Sequence, residues 1–197
     1  MRVRALAGIA ALLFGLGQPA PCDTPDIPAD QAVCSKDKRV CLAMLVPHWQ
    51  LGLTHHVDPE LRKQYPTSGL YRVRPGSKGR AQLLWQMDTT QLRLPIVLGD
   101  GDHVIDVSLS RFSDESLTGS ENVLVFYSRG VATRTWILAE AIPGWRSLKS
   151  QQTASSRLYR WFCGVSLSAD EATLQMEKCP LQSGEILKFD PRTGARR

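Results

Sequence analysis

Residues 157–178 read RLYRWFCGVSLSADEATLQMEK. Apolar, aromatic and β-branched residues lie on both sides of a polar centre, Ser168-Ala169-Asp170-Glu171, a pattern that predicts two strands folded back on each other. Cys163 and Cys179 sit at nearly mirror distances from that turn, so a hairpin sets them side by side. The device recurs near the start of the chain. Cys34 and Cys41 flank the polar centre Lys36-Asp37-Lys38 at mirror distances. The chain therefore reads as repeats of one hairpin unit, two of them stapled by disulfides.

Working outward, unit one holds the run from Val40 to Val46, apolar on both faces as a buried strand requires. Asp58-Pro59-Glu60 looks like an N-cap with proline at the first helical position, which predicts a short helix over 59–65 ended by Pro66. Strands at 69–73 and 81–85 then flank the turn at 75–79. Unit two runs from a strand at 94–98 through Gly99-Asp100-Gly101-Asp102 to an alternating strand at 103–109. After a polar loop come strands at 122–127 and 131–138, joined by Ser128-Arg129-Gly130 and followed by a helical turn that Pro143-Gly144 stops. Unit three is the opening hairpin plus a last strand near 184–189. The strands leaving the polar turns contain Val40, Val104 and Thr173, spaced by 64 and 69 residues. Repetition at such intervals points to stacked sheet units. The expected fold is all-β: three propeller-blade-like or sandwich-like antiparallel hairpin units with short helical turns.

Residues 1–17 have the order of a secretory signal: Arg2 and Arg4, then an apolar stretch too short for a membrane span, then Gly15-Leu16-Gly17. Residues 18–31, rich in Pro and Asp, read as an extended linker, and 32–197 as a single β domain. Export into an oxidising compartment favours disulfides, and five cysteines leave one over. With Cys34/Cys41 and Cys163/Cys179 paired, Cys22 is the free or modified thiol. The residues before it, Pro19-Ala20-Pro21, are a poor lipobox. The expected location is periplasmic or secreted.

The formal charge of +5 includes Arg2 and Arg4, and its basic residues are dispersed. No nucleic-acid motif accompanies them. No second apolar run is long enough to span a bilayer, so the protein is not expected to be membrane-spanning. No G-x-S-x-G, H-E-x-x-H or glycine-rich phosphate loop occurs. His48, His55 and His56 lack a ligand-spaced carboxylate partner, and Asp100, Asp102 and Asp106 lack the pattern of a calcium loop, so neither a metal nor another cofactor is expected. No catalytic residue is assigned. Asp114, Glu115 and Glu121 form the one loop group that could support glycosidic acid–base chemistry. Among the five tryptophans, Trp85, Trp136 and Trp161 lie in apolar strands. Trp49 and Trp145 lie in loops, and Trp145 with Arg146 has the composition of an interface anchor.

One segment resembles a known family. Phe189-Asp190-Pro191-Arg192-Thr193-Gly194 looks like the F-D-x-x-T-G strand-and-turn of β-propeller blades. The stretch 94–174 resembles uncharacterised secreted bacterial proteins. The matching pieces are the Asp100-Gly101 turn, the strand at 123–127 before a glycine turn, and Ser155-Ser156 ahead of Trp161 and Asp170-Glu171. The resemblance implies a blade-like hairpin fold and brings no activity with it. The functional expectation is an exported, non-enzymatic module that binds an unknown protein or envelope component. The alternatives are a cell-envelope hydrolase using Asp114 and Glu115, or an inhibitor or immunity-type protein.

Overall fold

The computed structural model describes residues 29–47, 57–74, 80–88, 92–107, 118–147, 150–152, 157–159, 162–178 and 185–197. The fold is mostly β. A first antiparallel sheet has the order β1 (Gln31–Cys34), β2 (Val40–Met44), β3 (Gly69–Arg72), β4 (Gln82–Gln86). A second repeats the meander with β5 (Pro95–Val97), β6 (His103–Val107), β7 (Asn122–Ser128) and β8 (Val131–Ile137). A two-stranded ribbon pairs β9 (Ser150–Gln152) with β10 (Arg157–Tyr159). A third sheet joins β11 (Phe162–Leu167), β12 (Leu174–Lys178) and β13 (Ile186–Phe189). Among the described residues the helices are α1 (Pro59–Gln64) and α2 (Leu138–Ala141), with a 3₁₀ turn at Trp145–Ser147. No helix among the described residues is long and apolar enough to cross a membrane.

The alternation along each strand stacks the sheets. In the second sheet, Ile105 lies opposite Phe126 and Val107 opposite Leu124 on one face, while Val97, Val104 and Tyr127 share the other. The first face packs with Leu174, Met176, Leu187 and Phe189 of the third sheet. The second packs with Val40, Leu42, Met44 and Leu70 of the first sheet. The middle sheet is thus buried on both sides, and β6 is buried at every position after His103. The far face of the first sheet carries Cys41, Ala43 and Tyr71 and is covered by Tyr65 and Leu61. The far face of the third sheet carries the exposed Glu177, Ile186 and Lys188. Strands β1 and β5 touch, so the first two sheets meet along their leading strands.

The α1 prediction is met at its start. The Asp58 carboxylate accepts the N–H groups of Glu60 and Leu61, and Pro59 occupies the first helical position, where a missing N–H costs nothing. Arg62 then ties the helix to the sheet. Its Nε and Nη2 donate to the two oxygens of Asp30 at 2.6 and 2.9 Å, and Nη2 also donates to the Val46 carbonyl.

The quoted stretch differs from its reading in one respect. Its first half is two strands rather than one. Arg157–Tyr159 pairs backwards with Ser150–Gln152, and only Phe162–Leu167 forms the hairpin with β12. A strand at 150–152 had no apolar signal to announce it. The hairpin turn itself lies at the expected residues, with Leu167 opposite Leu174.

Candidate functional site

The polar turns of the repeats meet at one end of the stack. Each is held by its own aspartate, which accepts backbone N–H groups two or three residues on: Asp37 from Arg39, Asp100 from Asp102 and His103, Asp170 from Ala172, and Asp190 from Arg192 and Thr193. This local closure explains why S/D-rich tetrads fall at these four places. The turns are then tied to one another. Glu171 Oε2 accepts the Gly99 N–H at 2.8 Å, and a Cβ on Gly99 would lie 3.8 Å from Asp37 Oδ1. Arg192 donates through Nε to Asp100 at 3.2 Å and through Nη1 to the Glu171 carbonyl.

Beside this junction, where the seam between the first and second sheets opens, lies a cleft of about 430 Å³. Arg72, Leu84, Trp85, Asp100, Asp102 and Arg129 line it, with Gly101 at its floor. Arg72 projects from β3 on the same face as Leu70. Trp85 lies opposite Leu70 on β4 and donates its indole N–H to the Gly101 carbonyl at 3.0 Å, which fixes the ring as an apolar wall. Gly101 has φ +80, and a Cβ there would come within 3.0 Å of Leu84, so only glycine keeps the floor open.

The four charges of the cleft are not equivalent. Arg129 donates to both oxygens of Asp102, through Nε at 3.0 Å and Nη2 at 3.4 Å, so the β7–β8 turn grips the β5–β6 turn. Asp100 Oδ2 is shared between His103 Nδ1 at 2.9 Å and Arg192 Nε. Partial burial pushes the Asp100 carboxyl up, but the N–H of Asp102 and the His103 ring outweigh it and hold it below the usual carboxylate range. The Arg72 side chain makes no hydrogen bond or ion pair with any described residue. Its guanidinium is the one unengaged charge on the cleft wall.

No family model, curated protein or solved structure matches this chain.

The Cys34–Cys41 disulfide is present, between residues directly opposite in the β1–β2 ladder. Cys163 falls at a bulge between Phe162 and Gly164, which takes it out of the regular ladder, and Cys179 lies outside the described residues. So do Cys22, Trp49, Trp161, the three histidines at 48, 55 and 56, Asp114 and Glu115. Trp145 is half-buried against the core between the second and third sheets, its ring close over Gly119, and the Arg146 guanidinium lies 4.9 Å from the ring centre. These two sit apart from the cleft lining.

The three aspartates weighed for calcium have separate partners. Asp106 is only 5 % exposed, and its Oδ1 accepts the N–H groups of Arg93 and Leu94 at 2.8 and 3.1 Å. Glu121 caps its own loop through Thr118 and Gly119. Among the described residues no group of three or more His, Cys, Asp or Glu is placed to hold a metal ion. Arg72 and Arg129 escaped the sequence reading. The available signal was an arginine inside the apolar run Leu70-Tyr71-Arg72-Val73; it ends β3 on the face of Leu70 and is itself exposed.

Proposed function

We propose that the chain is an exported, non-enzymatic partner-binding module of the periplasm or cell envelope, and that the cleft at the turn junction is its docking face. The observation that carries this reading is the Arg72 guanidinium, standing unengaged beside the fixed indole of Trp85. Arg72 is exposed and Trp85 half-buried, and an arginine sharing a cleft wall with a tryptophan is the composition of a binding hot spot. The lining offers hydrogen-bonding and apolar surface on turns that are clamped to one another, so little order has to be gained on binding. The Cys34–Cys41 bond supports an oxidising location, and the signal-like residues 1–17 support export. The loose likeness of the meanders to propeller blades supports a scaffold role, since such sheets present their turns as a contact surface.

The test is affinity purification from the envelope fraction of the native host with the wild-type protein and with Arg72→Gln. A stoichiometric partner retained by the wild type and lost from the variant is the expected result. A partner retained equally by both, or no partner at all, contradicts it. Hydrolysis of a peptidoglycan or glycan panel by the purified protein, abolished by joint replacement of Asp114 and Glu115 with alanine, would replace it with the hydrolase reading.

A further inference from the structure

We infer that the cleft receives a single carboxylate, carried by an acidic side chain of an extended partner segment, on the guanidinium of Arg72. This deepens the docking-face reading and rests on it.

The charge arrangement selects the ligand. The lining holds two guanidinium groups and two carboxylates. Asp102 is occupied by Arg129 in a two-point contact, and Asp100 by His103 and Arg192. One cation, Arg72, is left over. A guanidinium presents parallel N–H donors that match the two oxygens of a carboxylate. A dianionic phosphate would bring its second charge toward Asp100 and Asp102, which line the same cleft, and like charges repel. A cation would find both carboxylates already taken. The apolar wall made by Leu84 and the Trp85 ring suits the methylenes that precede a side-chain carboxylate. The cleft opens to solvent, so a chain can run past it, and the apolar wall favours a side-chain carboxylate over a chain terminus.

The experiment is an NMR titration of the purified protein, following the Trp85 indole N–H and the Arg72 Nε–H resonances at constant ionic strength. The probes are N-acetyl-glutamate N′-methylamide, its glutamine counterpart and inorganic phosphate. The glutamate probe is expected to shift both resonances saturably. The glutamine probe is expected to leave them in place, and phosphate to bind more weakly than the glutamate probe. Arg72→Gln is expected to weaken the glutamate probe about tenfold or more. The variant Lys188→Gln, on the far face of the third sheet, is expected to bind as wild type, and circular dichroism checks that both variants fold. No saturable shift with the glutamate probe overturns the inference. So does an equal response to glutamine, tighter binding of phosphate, or unchanged binding by Arg72→Gln. Probe binding with no partner recovered from the envelope would leave the carboxylate site standing and remove the partner-binding role. A partner lost from Arg72→Gln without any probe binding would do the reverse.

Discussion

The Glu171 carboxylate accepts the backbone N–H of Gly99 at 2.8 Å, across 72 residues of chain. This bond fastens the hairpin of the third sheet to the turn that floors the cleft. Glu171 itself sits at φ +55, a conformation that non-glycine residues seldom adopt, and its turn is closed by the Ser168 carbonyl. Replacing Glu171 with alanine keeps that backbone and removes only the acceptor. The expected cost is about 1–2 kcal/mol, seen as a lower urea midpoint with an unchanged slope. Glu171→Gln retains an acceptor oxygen and is expected to lose less. Equal losses would mean that the charge, rather than the hydrogen bond, holds the turns together.

The Cys34–Cys41 bond closes a loop with a sequence separation of 7. By the chain-entropy estimate such a loop contributes about 2.5 kcal/mol. Cys34→Ala combined with Cys41→Ala is expected to lower the stability by that amount, seen as a lower melting temperature. A reductant is expected to produce at least that loss in the wild type and a smaller one in the double variant, where only the Cys163/Cys179 pair expected from the sequence can respond. A reductant effect as large in the double variant as in the wild type would contradict the contribution of the Cys34–Cys41 bond.

Asp30 and Arg62 form the fastening of α1. The Asp30 side chain is 0 % exposed and that of Arg62 is 21 % exposed. Removing one partner strands the other charge away from water, along with the Val46 N–H that Asp30 also accepts. Asp30→Ala is expected to cost about 3 kcal/mol in urea unfolding, and more than a surface pair such as Lys63 with Glu60, which contributes about 0.5 kcal/mol or less. A cost for Asp30→Ala no larger than that of Glu60→Ala would contradict the fastening role.

Much of this fold was legible because the physics behind it is local. The mirror placement of Cys34 and Cys41 about a polar centre follows from the two-residue period of a strand, and the ladder sets them directly opposite. The Asp58-Pro59 pair marks a helix start because both residues act on the first turn alone. The aspartate-held turns were visible for the same reason. The split between β10 and β11 was hidden because Arg160-Trp161-Phe162 carries no glycine or proline to break the run. The cleft was hidden for a different reason. Arg72, Trp85, Gly101 and Arg129 come from four separate stretches, and only the stacking of the first two sheets brings them together. Asp106 looked like one member of an acidic series, whereas its partners are the N–H groups of Arg93 and Leu94, a dozen residues earlier.

Asp106 also gives a pH test. Burial pushes its carboxyl above the ordinary value, and the N–H groups of Arg93 and Leu94 oppose that only in part. A carboxyl raised in the folded state stabilises the fold below its unfolded value near 3.8. That contribution is lost as the pH rises through the raised folded value. Asp106→Asn keeps an acceptor for both N–H groups and cannot ionise. Its stability relative to wild type is therefore expected to improve from pH 3 to pH 7, measured by urea unfolding. Asp190 works in the opposite sense. The Arg197 side chain holds it down at about 2, so its contribution is present above the ordinary carboxylate value and is lost as the pH falls through about 2. A flat difference between wild type and Asp106→Asn would contradict the account of the buried carboxyl.

The most direct test of the docking face is photocrosslinking in the native host. A benzophenone amino acid is placed at position 84 inside the cleft and, separately, at position 186 on the exposed far face of the third sheet. The account predicts one discrete adduct from position 84, absent from position 186 and abolished by adding Arg72→Gln. An adduct from position 186 alone, or one from position 84 that survives Arg72→Gln, would contradict the claim that this protein meets its partner through the Arg72 cleft.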